Sequence, residues 1–449
     1  MQSTLERLFR LIERPFVRMS HRHAPGLPAL CGEQIGSETG TGLPFILSAN
    51  ELRRHCYLIG STGVGKTNLV LRLLEQDVVG GHSVVVVDMR GDLVSGALGL
   101  CASLGVDPAR VSLLDLREKD RIQGFDPLSG AGEPYVRALH LSEVIAQESG
   151  SWGVQLEETL RNCLLLLASA GEPLTKLESV LYDDGFREKC LATTDDESLA
   201  AFWERYSGMG RERRQTWALP VLNKVTPLLA TPTLRSVLSG SPPLDLARIL
   251  GTEGSVLLVS LAVDELHRSS RMLGSLVVSS LAREMFARVN VPERSRNPVR
   301  LYVDEFENMA SESFENLIAE GRRFGLTLVM SHQTLSQMPP RLRSVIRNNV
   351  GVQVIFQVGF EDATVISKEV PKEISASDLR RLHVGQAYAM WRDGDTVHVS
   401  FSKAKKAPTA AQAEAFRSEV LPRTAASAPV APKTLPTDGS PHPALEELL

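Results

Sequence analysis

No apolar run in this sequence approaches the roughly 18 residues needed to cross a bilayer; the longest candidates are Leu164–Ala168 and Val84–Val87. Cysteine is sparse. Five residues (Cys31, Cys56, Cys101, Cys163, Cys190) stand singly with no C-x-x-C pair, which argues against a zinc site and against a disulfide scaffold. Arg7, Arg10 and Arg14 break every apolar stretch at the N-terminus, so no cleavable signal pattern forms there. These absences together predict a soluble, cytoplasmic protein with reduced thiols. Excess positive charge is also missing. A net charge of −4 confines any nucleic-acid contact to a local patch or to the interior of an assembly. No repeat period is evident. Asn223-Lys224-Val225-Thr226 lacks the Asp of a guanine-specifying N-K-x-D, and Leu238-Ser239-Gly240-Ser241 only partly echoes the L-S-G-G-Q of transporter cassettes.

What is present is a complete G-x-x-x-x-G-K-[ST] loop: Gly60, Ser61, Thr62, Gly63, Val64, Gly65, Lys66 and Thr67. It follows the apolar run Cys56-Tyr57-Leu58-Ile59 and precedes a helix-period stretch. Glycines let the backbone wrap around phosphates, so that N–H groups and a helix N-terminus face the anion. Lys66 offers a mobile charge to the β- and γ-phosphates, and the Thr67 hydroxyl is a Mg²⁺ ligand. Far downstream, Val299-Arg300-Leu301-Tyr302-Val303 ends in the adjacent carboxylates Asp304 and Glu305. The first fits the metal side of a nucleotide site and the second a base that deprotonates water. With the loop they predict hydrolysis of a nucleoside triphosphate with Mg²⁺.

The length admits one large domain plus a second, or one core with a large insertion. Residues 1–24 include an amphipathic helix with Leu5, Leu8, Phe9, Ile12 and Phe16 on one side and arginines on the other. Packing on the core or a neighbouring subunit, docking to a partner and lying on a membrane surface all remain open for it. Residues 25–129 and 250–403 read as two parts of one α/β core, a mostly parallel sheet with helices on both faces. Strands are expected at 55–60, 84–87, 111–114, 255–260, 299–304, 326–331 and 352–357, and a hairpin at 386–391 with 396–401. Residues 130–249 read as an inserted all-α domain. Residues 404–449, rich in Ala and Pro, are expected to be a disordered tail, which a protein partner could also use.

The order of motifs resembles the HerA/FtsK superfamily, and within it the type IV secretion coupling proteins. The resemblance rests on Leu52-Arg53-Arg54-His55 before the loop, Val87-Asp88-Met89-Arg90-Gly91-Asp92-Leu93 after the second strand, and Phe125-Asp126-Pro127-Leu128. It rests equally on Asp304-Glu305, Glu320-Gly321-Arg322-Arg323-Phe324-Gly325-Leu326 and Ser331-His332-Gln333. It covers roughly residues 45–400 and implies a RecA-like P-loop ATPase core that pumps DNA, usually as a homo-hexamer. It also implies Gln333 as the residue sensing the γ-phosphate and Arg322 as an arginine finger for a neighbouring subunit. Arg323 or neither arginine is the alternative. DNA contacts are expected from Arg211, Arg213 and Arg214 or from Arg341, Arg343 and Arg347, unless these are solvated faces or subunit salt bridges. Two other functions stay open: an ATPase energising protein secretion or assembly, and a nucleotide-switched component of a mobile-element or defence complex.

Overall fold

The structure is a computed structural model describing residues 34–47, 49–119, 121–149, 151–239, 244–309, 311–403 and 410–424. The amphipathic stretch expected within residues 1–24 lies outside the described residues, as does the chain beyond 424.

Eleven strands form one sheet: β1 (Gly36–Glu38), β2 (Pro44–Phe45), β3 (Cys56–Ile59), β4 (Ser83–Asp88), β5 (Val111–Asp115), β6 (Val256–Ser260), β7 (Val299–Asp304), β8 (Leu326–His332), β9 (Val352–Ile355), β10 (Gln386–Trp391) and β11 (Thr396–Phe401). Their order is β2-β1-β11-β10-β9-β3-β8-β7-β4-β6-β5. From β9 to β5 all neighbours are parallel, and from β9 outward to β2 they are antiparallel. Parallel strands β3, β4, β5 and β6 are short, largely apolar and buried along their length, as strands covered on both faces must be. Alternation sorts their side chains. Cys56, Leu58, Val84 and Val86 enter one core, and Tyr57, Ile59, Val85 and Val87 enter the other.

The first core is covered by helices α1 (Lys66–Val79) and α2 (Asp92–Leu104). On the opposite face the chain is helical from α3 (Pro134–Gln147) and α4 (Val154–Ala170) through α5 (Arg211–Leu229) to Gly251, with no strand among the described residues. The apolar interior of this segment is continuous with the sheet, through α6 (Arg268–Phe286), rather than a separate core. The described remainder includes α7 (Glu312–Glu320), α8 (Pro340–Asn349), α9 (Phe360–Ile366) and α10 (Ala376–Arg381).

The expected disordered tail is corrected over residues 410–424, which form helix α11 (Ala410–Thr424). Alanine, abundant in this stretch, is also the strongest helix former. Phe416, Val420 and Leu421 are buried with α2 and β5, and Arg417 pairs with Asp115 at 2.7 Å and Glu118 at 3.4 Å.

Candidate functional site

Every parallel strand points the same way, so Gly60, Asp88, Ser260, Asp304 and His332 gather at the C-terminal edge of the sheet, where ligands of open α/β sheets bind. The loop 60–67 runs from β3 into α1. Gly63 and Gly65 have φ of 78° and 110°, left-handed conformations that a side chain would strain. Among the described residues no group of the chain accepts a hydrogen bond from the N–H groups of Gly63, Val64 or Gly65. Lys66 is folded back, donating to the Gly60 carbonyl and, at 2.9 Å, to the Ser61 carbonyl. Burial lowers its pKa, opposed by Asp304, Glu305 and Glu307. A partly desolvated ammonium held by two carbonyls, beside unclaimed N–H donors, is suited to an incoming phosphate.

The two motif sets converge two strands away. β8 lies between β3 and β7, and opposite Asp304 on β7 stands Ser331, whose hydroxyl donates to the Asp304 carboxylate. Gln333, just past β8, donates its amide to Glu305 and accepts at 3.1 Å from the hydroxyl of Thr62 in the loop. One side chain thus joins the phosphate loop to the acidic strand. Glu305 has φ of 50°, a strained conformation of about 1–3 kcal/mol for a residue with a side chain, retained where the surroundings over-determine it. Burial raises the pKa of both acids. The Ser331 hydrogen bond opposes the rise at Asp304, and the Arg90 charge opposes it at Glu305.

The exposed hydroxyl of Thr67 and the Asp304 carboxylate are hard oxygen donors that suit Mg²⁺, which binds through one or two protein oxygens plus phosphates and waters. Among the described residues no cluster of three or more His, Cys, Asp or Glu could hold a metal by itself.

Two residues absent from the sequence assignment join the site. Arg90 Nε donates to Glu305 at 2.9 Å. It is aimed there by the β4 turn, whose Asp88 carboxylate accepts from the backbone N–H groups of Arg90, Leu93 and Val94. Glu307 follows Glu305, and one of its carboxyl oxygens is buried with no partner among the described residues. Burial first, then the neighbouring carboxylates, push its pKa to about 7. The Asp-Met-Arg-Gly-Asp turn was a legible signal for Arg90; for Glu307 only its nearness to the acidic pair was.

Arg322 is not brought to this cluster. It precedes β8 whereas Gln333 follows it, and seven strand residues separate the two sheet edges by roughly 20 Å. Its side chain is exposed and makes no ion pair among the described residues. The turn bearing it is held by buried His55, whose Nε2 donates to the Ile318 carbonyl at 3.1 Å and whose Nδ1 accepts from Leu328 N–H at 2.9 Å. Burial, with the Arg322 charge second, lowers the His55 pKa to about 3 and keeps it neutral. Of the two candidate DNA patches, the later one is committed internally. Arg341 pairs with Glu315, and Arg343 and Arg347 pair with Glu369. In the earlier patch Arg214 pairs with Asp184, while Arg211 and Arg213 are exposed and unpaired among the described residues.

Residues 33–123 match the family described as the central domain of helicase HerA, and residues 298–386 match the one described as the TraM recognition site of TraD and TraG. Comparison with curated protein sequences gave no match. Among solved structures, the bacterial conjugative coupling protein TrwB in its unbound monoclinic form superposes with a TM-score of 0.61 at 16% identity, covering 84% of this chain and 90% of that one. TrwB in complex with ADP and Mg²⁺ gives 0.61 at 18% identity over 84% and 91%. VirB4 of Thermoanaerobacter pseudethanolicus gives 0.58 at 12% identity over 83% and 97%. The chain therefore has the P-loop fold of these proteins and resembles HerA-type ATPases and conjugative coupling proteins, as its motifs implied. No helix among the described residues is long and apolar enough to cross a membrane.

Proposed function

We propose that this chain is a Mg²⁺-dependent ATPase that works as a ring and moves DNA. The observation that carries the reading is the Thr62–Gln333–Glu305–Arg90 chain of hydrogen bonds, which links the phosphate loop to the acidic strand. Bound ATP and Mg²⁺ would supply a phosphoryl group whose charge the metal partly neutralises. The N–H groups of Gly63, Val64 and Gly65 would cradle the phosphates, and Lys66 would exchange its carbonyl partners for them. Thr67 and Asp304 would hold the metal. Glu305 accepts a proton from water at its carboxylate, the Arg90 charge favours the ionised form of that carboxylate, and Gln333 fixes its direction.

Arg322 can reach a phosphate only in another subunit, which is the reason to expect a ring. A trans arginine meets charge that develops during transfer and is worth about 10³–10⁵ in rate. For DNA, the unpaired Arg211 and Arg213 are the better candidates, because charges already paired with carboxylates release few counterions. The coupling-protein and HerA likenesses support DNA as the cargo. The likeness to VirB4 supports, as a second reading, an ATPase that energises secretion.

The test is steady-state ATP turnover with and without single- and double-stranded DNA, alongside particle mass. DNA-stimulated turnover by a multimer is expected. Turnover by a multimer that ignores DNA but rises with a protein partner would favour the second reading, and binding without turnover would favour a nucleotide switch.

A further inference from the structure

The acids and Gln333 lie on the β7–β8 side of the phosphate loop, so they fix where the γ end of a triphosphate must sit. The nucleoside end must then leave toward the other neighbour of β3, the β9–β10 side. Two segments there are bonded directly to the loop. The Gln357 carbonyl accepts from Ser61 N–H at 2.9 Å, and Gly385 N–H donates to the Val64 carbonyl at 2.9 Å. Gly65 and Gly385 approach so closely that a Cβ on Gly65 would lie 3.2 Å from the Gly385 nitrogen.

Each segment carries an apolar side chain out into solvent at this edge. Phe360, three residues after Gln357, is 66% exposed, and Val384, just before Gly385, is 73% exposed. These are large exposures for apolar residues in ordered segments. The Phe360 ring is held rather than loose: the Arg380 guanidinium carbon stands 5.4 Å from its centroid, and the Arg380 carbonyl accepts from the Gln357 amide at 2.9 Å.

We propose that Phe360, backed by Arg380, is the platform on which the base of the bound nucleotide stacks, with Val384 the other exposed apolar side chain at this edge. An aromatic face with a cation beside it attracts the flat π-system of a base without reading its edge. This assignment rests on the phosphate-loop reading, and the probes separate the two. Tripolyphosphate carries the phosphates without a base, and ATP carries both.

The experiment is equilibrium binding of Mg-ATP and of Mg-tripolyphosphate to the full chain and to Phe360→Ala, with Lys66→Ala as the loop control. Phe360→Ala should weaken ATP by about 5- to 150-fold, the range for losing one aromatic–base stack, and leave tripolyphosphate unchanged. Lys66→Ala should weaken both. In Phe360→Trp, ATP should quench a fluorescence component absent from the wild type, and tripolyphosphate should not. If Phe360→Ala binds ATP as the wild type does and the fluorescence added by Phe360→Trp ignores ATP, the platform is overturned while the loop stands. If the wild type binds neither probe, the loop reading falls and the platform with it.

Discussion

In the proposed ATPase, hydrolysis turns on Glu305, and its surroundings would set the pH at which it works. Burial raises its pKa and Arg90 opposes that rise. A base acts in its ionised form, so turnover should fall as pH falls through the Glu305 pKa. Arg90→Met removes the opposing charge, so the acid limb of the pH–rate profile should move to higher pH; an unmoved limb would separate Arg90 from the base. Glu305→Gln should keep Mg-ATP binding and lose most turnover, measured by equilibrium binding beside single-turnover hydrolysis. Glu307 predicts a stability effect. Its folded-state pKa of about 7 lies above the ordinary 4.5, so the folded protein keeps a proton that the unfolded chain releases. Its contribution is therefore full below about pH 4.5 and is lost as pH rises toward 7. Glu307→Gln should melt with the wild type near pH 4 and above it near pH 8; equal melting temperatures at both would refute the burial argument. The phosphate loop and acidic pair were legible because each is contiguous in sequence. Gln333 was reached only through the family resemblance. The contacts of Arg90 and Glu307 were not legible, because they depend on which strands lie side by side.

At the scale of elements, helix α1 is fastened to β7 beneath the site. Buried Arg300 pairs with Asp77 at 2.6 Å, and the Tyr302 hydroxyl donates to the same carboxylate. The helix carrying Lys66 and the strand carrying Asp304 therefore share one buried ion pair. Arg300→Met should cost about 3–5 kcal/mol in urea unfolding, because Asp77 is left buried without its cation. The double variant with Asp77→Leu should recover part of that loss; a double variant as unstable as the sum would argue for packing alone. Helix α11 is the element that composition concealed. Its alanines and the neighbouring prolines looked like a tail, yet Phe416, Val420 and Leu421 form a buried stripe that only contact with α2 and β5 reveals. The parallel strands were legible because a strand buried on both faces is a short, unbroken apolar run. Their order in the sheet was not, because pairing leaves no trace within any one strand.

At the scale of the whole molecule, the proposed function needs a second chain to complete the site. Arg322 stands at the N-terminal edge of the sheet, exposed and unpaired among the described residues, while the phosphate loop and Glu305 stand at the C-terminal edge. Side-by-side packing in a ring would present that arginine to a neighbour's phosphates. The most direct test mixes Arg322→Ala with Lys66→Ala after labelled protein has shown that subunits exchange. Each variant alone should be nearly inactive, with Arg322→Ala still binding Mg-ATP, because a finger meets transition-state charge and adds little to ground-state binding. In mixed rings an intact loop on one subunit meets an intact arginine on the next, so ATP turnover should return. Exchange without any return of turnover, or full activity from monomers at high dilution, would contradict a site shared between subunits.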